Sequence, residues 1–337
     1  MALAWGTMLI FGASHQLLPV LVEGKLNSDK LAYLTFGLMA IGIPFLIYGF
    51  YVFNVGAPLK IGATMINLGV LCYLLNVIST AFKNNQKNIH AWFAITATIW
   101  LLTTTFLGLL LVFNFQTPLL TNNSVYYLAV HAHLGIIGWF LLMVIGLGSR
   151  LIPMFLISKY TNNKILWLIF ALLNFALISF LGFYLSGAPT YLYYIPNVMG
   201  VAAILLFGRH CYKAYKIRIR KNVDQQVTTS LISIVLMLIP FIILIVTIGA
   251  IPKAYINRMV MLYGFTIFFG WITAIILGMT FKTMPFIIWN KVYHSKAHKG
   301  RTPAPKEIFN NKVYKIMQLC YLGDLPSLSL ASYYSIK

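Results

Sequence analysis

Two histidines separated by one residue, His131 and His133, stand inside a long apolar segment of this 337-residue chain. Imidazole is a good ligand for iron and copper, and an ionisable side chain inside a membrane segment is a functional candidate by default. Positions two apart on an α-helix differ in direction by about 200°, so the two side chains point to opposite sides of their helix. The spacing therefore predicts two separate sites, or one ligand and one structural histidine, and argues against joint chelation of one metal ion.

A purely structural role is the alternative for each histidine. Polar side chains inside membranes often donate a hydrogen bond to a backbone carbonyl of a neighbouring helix. Gly135 and Gly138 follow on the same helix and expose its backbone, where either a flat macrocycle or another helix can approach. The residues alone leave both alternatives open.

The composition places these histidines in a membrane protein. Hydrophobic residues make up 60% of the chain and charged residues 9%, and apolar runs of membrane-spanning length recur along it. The formal net charge is +20, but the basic residues lie in short loops between apolar spans, which argues against nucleic acid as a partner and for membrane lipid. Cys72, Cys211 and Cys320 have no disulfide or metal-site spacing.

The hydropathy pattern predicts nine transmembrane helices, and hence an all-α integral membrane protein. The fifth and ninth exceed a perpendicular bilayer crossing, so we expect them to tilt, to kink at Pro153 and Pro285, or to project beyond the bilayer. The nine predicted spans cover residues 2 to 21, 31 to 53, 61 to 82, 90 to 113, 125 to 157, 165 to 185, 191 to 212, 228 to 251 and 255 to 290.

The distribution of Lys and Arg predicts the orientation. The loops after spans 1, 3, 5 and 7 contain 12 of these residues, whereas the loops on the other side contain 3. Because positively charged loops stay in the cytoplasm, the N-terminus is predicted outside and the C-terminus inside, in the inner (plasma) membrane of a bacterium.

One signature recurs three times: Trp, then Gly seven residues later, then Pro seven residues after that. Each signature lies on the first, fifth or ninth span, which predicts repeat units of four helices with pseudo-threefold symmetry. We expect one transmembrane domain over residues 1–310, with repeat units at about 1–124, 125–254 and 255–290, and a basic tail on the inner side over 291–337. The three copies are Trp5, Gly12, Pro19; Trp139, Gly146, Pro153; and Trp271, Gly278, Pro285.

Three complete units would contain twelve helices. The first signature begins almost at Met1, and no convincing apolar span follows the ninth. The pattern therefore predicts a further helix upstream and two or more downstream in a longer protein. A natural nine-helix protein is the alternative.

Residues 131–155, HAHLGIIGWFLLMVIGLGSRLIPMF, resemble the haem-ligating helix of the catalytic subunit (subunit I) of haem-copper oxidases, in the branch of the nitric-oxide reductases. In that family a His-x-His on one helix ligates two haems, and the helices form three four-helix arcs. The resemblance implies an oxidase subunit I-like fold, haem of the b type, and His131 and His133 as iron ligands. It also implies partner subunits or a cytochrome that donates electrons.

The chain departs from that family in two respects. The third signature helix has Tyr263 and Phe265 where the second has its histidines, and no adjacent His pair is present to build the family's copper site. We therefore expect no copper site, and oxygen reduction by this chain alone is doubtful. For the haem held by His133 the second ligand stays open: a histidine on the upstream helix, a water, or a methionine such as Met65, Met199 or Met261. The remaining histidines are predicted near the inner side: His15, His90, His210, His294 and His298.

The expected function is haem-based electron transfer in respiration or nitrogen-oxide metabolism. One alternative is a haem- and copper-binding membrane protein of the nitrosative-stress response, and another is a transporter without haem. Four residues after each signature glycine come Gln16, Arg150 and Lys282. The two cations are expected either to pair with an acid or to extend toward the membrane surface.

Overall fold

The computed structural model describes residues 2–83, 88–294 and 302–334, and within these ranges all regular elements are helical. Eight of the described helices are long and apolar enough to cross a membrane. Large apolar side chains such as Phe36 and Ile47 are exposed on them, which fits contact with lipid. The chain is therefore an all-α membrane protein, as the sequence predicts.

The nine predicted spans coincide with nine helical segments. Helix α1 (Met8–Leu21) continues a π-helical segment, Ala2–Thr7, and the two together cover the first predicted span. A tenth helix, α10 (Asn311–Tyr334), lies in the predicted tail, where the sequence analysis assigns no helix. The eight membrane-length helices are α2 (Asp29–Tyr51), α3 (Ala57–Lys83), α4 (Ile89–Asn114), α5 (Leu128–Phe155), α6 (Asn163–Leu185), α7 (Thr190–Lys216), α8 (Gln225–Ala250) and α9 (Ile256–Val292).

Residue contacts divide the chain into two compact units. The first comprises Met1–Leu151 and Thr161–Ala203, and the second comprises Ile152–Tyr160 and Ile204–Lys337. The division falls within α5 and within α7. The three predicted repeat units and their oxidase-like arrangement stay predictions.

Local sequence explains where several helices begin and break. Ser28, Asn88 and Asn162 each accept a hydrogen bond from a first-turn backbone N–H of α2, α4 and α6. These side chains satisfy donors that a helix start leaves unpaired. Helix α8 has a turn at Met237, three residues before Pro240, which lacks the N–H that a continuous helix needs.

Each signature tryptophan lies in a π-helical segment. Trp5 lies in Ala2–Thr7, Trp139 in Leu134–Leu141 and Trp271 in Thr266–Ile272. π-Helical segments are rare, so their recurrence at the signature is a structural counterpart of the sequence repeat. The sequence analysis did not predict them.

Trp139 is the centre of an aromatic core in the first unit. Its ring lies edge-on to Phe11 and Tyr73, with centroid distances of 5.8 and 6.1 Å, and its Nε1 donates to Thr7 Oγ1 at 3.1 Å. Phe11 and Tyr73 stack at 4.1 Å, and the Tyr73 hydroxyl is 2.7 Å from Ser14 Oγ. These contacts join α1, α3 and α5.

The signature glycines of α5 and α9 are points of close helix approach. A Cβ on Gly146 would overlap Cβ of Phe93 on α4. A Cβ on Gly278 would overlap Ser230 Oγ and would lie 2.8 Å from the backbone oxygen of Gln226 on α8. A small residue lets the backbones approach closely, and this packing role is the one that glycine commonly has in membrane helices.

Within the second unit, two tyrosines anchor helix α10 to α8 and α9. The Tyr314 hydroxyl donates to Thr229 Oγ1 at 2.8 Å, and the Tyr321 hydroxyl donates to the backbone oxygen of Gly270 at 2.6 Å. The second bond satisfies a carbonyl in the π-helical segment of α9. Burial raises the pKa of both phenols, so they remain protonated donors at neutral pH.

Gly278→Ala and Gly146→Ala are expected to destabilise the protein by about 1 to 3 kcal/mol each, because the added methyl group has no room. Gly12 is the matched control, since a Cβ there meets no atom within 4 Å. Gly12→Ala should leave stability unchanged or raise it slightly through helix propensity. Thermal unfolding of the detergent-purified variants measures this, and equal melting temperatures for all three would contradict close packing at the signature.

Candidate functional site

His131 faces helix α4. A Cβ on Gly108 would lie 2.9 Å from Cε1 of His131, so the imidazole occupies the space that a side chain at position 108 would need. The backbone of Thr104, four residues earlier and hence on the same face of α4, also lies close to the ring. Nδ1 of His131 is buried and has no hydrogen-bond partner among the described residues. His131 thus packs closely against α4.

His133 faces helix α6 instead. Its ring lies 4.5 Å from the ring of Phe180, measured between centroids, and its Nδ1 is 2.8 Å from the backbone oxygen of Ala129. A carbonyl oxygen only accepts, so Nδ1 carries the proton and the lone pair lies on Nε2. The two histidines face different helices, as their spacing predicts.

An aromatic cluster surrounds the contact between His133 and Phe180. Phe180 lies 5.9 Å from Tyr184 and 6.0 Å from Tyr193, between ring centroids. The Tyr184 hydroxyl donates to the backbone oxygen of Tyr126 at 2.6 Å, which ties α6 to the segment that leads into α5. His133 is therefore held at the edge of a largely aromatic environment.

The glycines after the histidines contact neighbouring helices. A Cβ on Gly138 would lie 2.7 Å from Cβ of Trp100, and one on Gly135 would lie 3.4 Å from the methyl carbon of Thr104. The sequence left two neighbours possible for these glycines, a macrocycle or another helix. In the structure the neighbour is a helix, because α4 fills the space beside both glycines. A macrocycle bound by either histidine would have to lie elsewhere than against Gly135 and Gly138.

Other histidines of the first unit have distinct partners. His15 places Nδ1 2.8 Å from the backbone oxygen of Phe11 and packs edge-on against Tyr73. His90 Nδ1 lies 3.0 Å from both the backbone oxygen of Gly146 and Ser149 Oγ, so it joins α4 to α5. Among the described residues, no group of three or more His, Cys, Asp or Glu side chains is arranged to hold a metal ion.

His298 lies outside the described residues. Of the candidate methionine ligands, Met65 packs against Gly42 of α2. A Cβ added to Gly42 would lie 3.0 Å from the Cβ of Met65. That contact is the ordinary packing role of methionine in a helical interior.

A polar cavity of about 410 Å³ lies in the first unit, where α4 and α6 begin. It contains both an acid, Glu23, and a guanidinium, that of Arg150, which is exposed. Arg150 thus extends into a polar space at its end of α5. The residues that line the cavity are Glu23, Asn88, Ile89, His90, Arg150, Thr161 and Asn163.

Lys282 pairs with an acid, which is one of the two roles expected for it. Its Nζ bonds to Oδ2 of Asp224, whose Oδ1 accepts from Arg220 Nη2 at 2.6 Å. The side chains of Lys282 and Asp224 are only 19% and 26% exposed, and the Lys282 ammonium also lies 5.4 Å from the centre of the Phe155 ring. The carboxylate thereby stabilises two cations at one end of the second unit.

Sequence reasoning found the histidines but not their surroundings. Gly108, Phe180 and Tyr184 carry no pattern that links them to position 131 or 133, because contacts between helices depend on helix rotation and tilt. Asp224 lies outside the predicted spans, and the sequence analysis does not match it to Lys282. A cation on one helix end and a lone acid in a loop on the same predicted side could have suggested that pair.

Asp224→Asn should destabilise the protein by about 1 to 2 kcal/mol, because it leaves the partly buried Lys282 ammonium without its counter-charge. Asp324→Asn on α10 is the matched control, since Asp324 is exposed and, within the described ranges, its carboxylate forms no ion pair. Thermal unfolding at low and at high salt should show a lowered melting temperature for Asp224→Asn and an unchanged one for Asp324→Asn. A melting temperature unchanged by Asp224→Asn would mean that the ion pair contributes nothing.

No protein-family model matches this chain, and the comparison with curated proteins finds no match either. The resemblance to haem-copper oxidases therefore depends on residues 131–155 and on the threefold signature. The contacts of His131 and His133 provide a separate test of haem binding, since their geometry can be compared with that of a histidine that ligates iron.

Proposed function

We propose that this chain is a haem-binding membrane protein that transfers electrons, with His133 as the principal iron ligand and His131 as the second candidate. The observation that carries the proposal is the hydrogen bond from His133 Nδ1 to the backbone oxygen of Ala129. Histidines that ligate metals usually donate their other ring N–H in this way, which fixes the tautomer and directs the lone pair of Nε2.

The environment of His133 supports the same proposal. Phe180, Tyr184 and Tyr193 provide flat aromatic surfaces near the ring, which suit a macrocycle. A bound haem of the b type would supply one-electron redox chemistry, while the chain provides the ligand, its orientation and an apolar environment. The source of electrons would be a cytochrome or a partner subunit.

His131 has a weaker claim to an iron. Its contact with Thr104 is a satisfactory structural role, and Gly108 fits closely against its ring. The unpartnered Nδ1 of His131 nevertheless offers a nitrogen that no described residue uses. We therefore assign His131 to a second iron only if its removal changes the haem content.

His133→Ala should lower the haem content per protein by about tenfold or more, because the ligand nitrogen is lost. The measurement is a reduced-minus-oxidised visible spectrum of the detergent-purified full chain, together with an assay for iron and copper. His294→Ala is the control, since His294 is an exposed histidine whose ring lies beside Trp289. Unchanged haem bands in the His131→Ala, His133→Ala double variant would refute both ligands.

A separate pair of variants tests His131. Gly108→Ala displaces the His131 imidazole and leaves the contacts of His133 intact, whereas a Cβ on Gly182 of α6 meets nothing within 4 Å. A loss of absorbance in Gly108→Ala but not in Gly182→Ala would support a second haem at His131. Equal spectra would leave that histidine with a structural role.

Transport of a small polar solute is the second candidate function. The 410 Å³ cavity that contains Glu23, His90 and Arg150 favours it, because transporters bind solutes in polar cavities between helices. A folded but colourless full-length protein would overturn the haem proposal and would favour transport.

We also propose that the N-terminus is outside and the C-terminus inside a bacterial inner membrane, as the loop charges indicate. A membrane-impermeant maleimide should then leave Lys221→Cys, made in a Cys320→Ser background at an exposed position between α7 and α8, unlabelled in intact cells and should label it after permeabilisation. The matched control is Leu119→Cys in a Cys320→Ser background, because position 119 is exposed between α4 and α5 on the predicted outer side. The reverse labelling pattern would contradict this orientation.

A further inference from the structure

Two connectors of the second unit lie side by side at the ends of membrane-length helices. The backbone N–H of Ile219, between α7 and α8, donates to the oxygen of Ile157, just after α5, at 3.2 Å. This bond brings three isoleucines and four cations into one surface, here named the 157–221 patch. Its members are Ile157, Lys159, Lys216, Ile217, Arg218, Ile219 and Lys221.

The isoleucines of the patch are exposed. Ile157, Ile217 and Ile219 are 54%, 53% and 64% exposed. Ile157 also has a φ of 51°, in the left-handed region that β-branched residues avoid. Glu23 and Phe53 have the same backbone conformation after α1 and α2, so this is the capping geometry of a helix C-terminus, and at α5 it places an isoleucine on the surface.

Among the cations of the patch, Arg218 has the most contacts within the described residues. Its guanidinium lies 3.9 Å from the centre of the Tyr215 ring, and Nη1 donates to the Tyr215 backbone oxygen at 2.8 Å. Nη2 has a longer bond, 3.4 Å, to the backbone oxygen of Lys221. Backbone oxygens and an aromatic face orient this positive charge without neutralising it.

The other cations lack counter-charges as well. Lys159, Lys216 and Lys221 are exposed, and within the described ranges none of the four cations of the patch forms an ion pair. The acid that follows them in sequence, Asp224, already binds Arg220 and Lys282. The patch therefore has a positive charge that the described chain does not balance.

We propose that the 157–221 patch binds the headgroup of an acidic phospholipid, with its phosphate at Arg218 and the neighbouring lysines and its acyl chains against the isoleucines. A ligand with a negative head and an apolar body matches both halves of the patch, whereas a soluble anion would leave the isoleucines in water. Clusters of Lys and Arg next to a membrane helix attract acidic lipids in this way. The site is independent of any haem at His133.

The positive-inside rule alone does not account for these features. It predicts basic loops, but it requires neither an ordered guanidinium nor exposed isoleucines beside it. The loop cations Lys25, Lys30 and Lys83 of the first unit have the same predicted side and provide a comparison for general charge attraction.

Native mass spectrometry of the full chain in neutral detergent, titrated with phosphatidylglycerol or phosphatidylcholine, tests the proposal. The wild type should retain phosphatidylglycerol in preference to phosphatidylcholine. Lys216→Gln, Arg218→Gln, Lys221→Gln in one protein should weaken that retention by about fivefold for each cation removed. Arg220, Asp224 and Lys282 are left in place so that their ion pairs keep the connector folded.

The control protein carries Lys25→Gln, Lys30→Gln and Lys83→Gln, which remove the same charge elsewhere. Three outcomes would each overturn the proposal. They are equal losses of phosphatidylglycerol retention in the two triple variants, undiminished retention in the patch variant, and equal retention of both lipids by the wild type. If the triple variant does not fold, Lys221→Gln alone provides the test, because its side chain is exposed. That variant should lose phosphatidylglycerol retention by about fivefold.

Discussion

Close backbone approach at small residues is the constraint on which this structure depends. Inside lipid the hydrophobic effect does not drive helices together, so dispersion contacts and hydrogen bonds between helices must do so. Helix α5 meets α4 at Gly146 and Gly138, and α9 meets α8 at Gly278. The hydrogen bonds of His90 and the packing of Phe93 are possible only because these glycines bring the helices so close.

The same packing determines what the two histidines can do. Since α4 fills the space beside Gly135 and Gly138, the His131 face of α5 is closed by Thr104 and Gly108. The His133 face meets aromatic rings instead. Two residues of the same type, two positions apart, thus have unequal chemistry: one is held between helices, and the other has a fixed tautomer and an apolar, aromatic neighbourhood.

Eight of the nine predicted spans are helices of membrane length, and they were predictable because long apolar runs and polar connectors are properties of the sequence itself. The spacing of His131 and His133 likewise predicts that they face different neighbours. Three features were not predictable: the π-helical segments at the tryptophans, the helix Asn311–Tyr334, and the partners of each histidine. Each depends on contacts between distant segments, such as Tyr321 with Gly270, and no local pattern encodes helix rotation.

Charge balance distinguishes structural cations from those available to a partner. Only five acidic residues accompany 25 lysines and arginines, so most cations must be balanced by something outside the chain. Asp224 is used to hold Arg220 and Lys282 where the side chains are partly buried, because an unpaired ammonium is most costly there. The exposed lysines of the 157–221 patch need no such acid, since lipid phosphates and counter-ions can reach them. The scarcity of acid thus leaves the surface next to the membrane strongly positive, while Asp224 still pairs with Arg220 and Lys282.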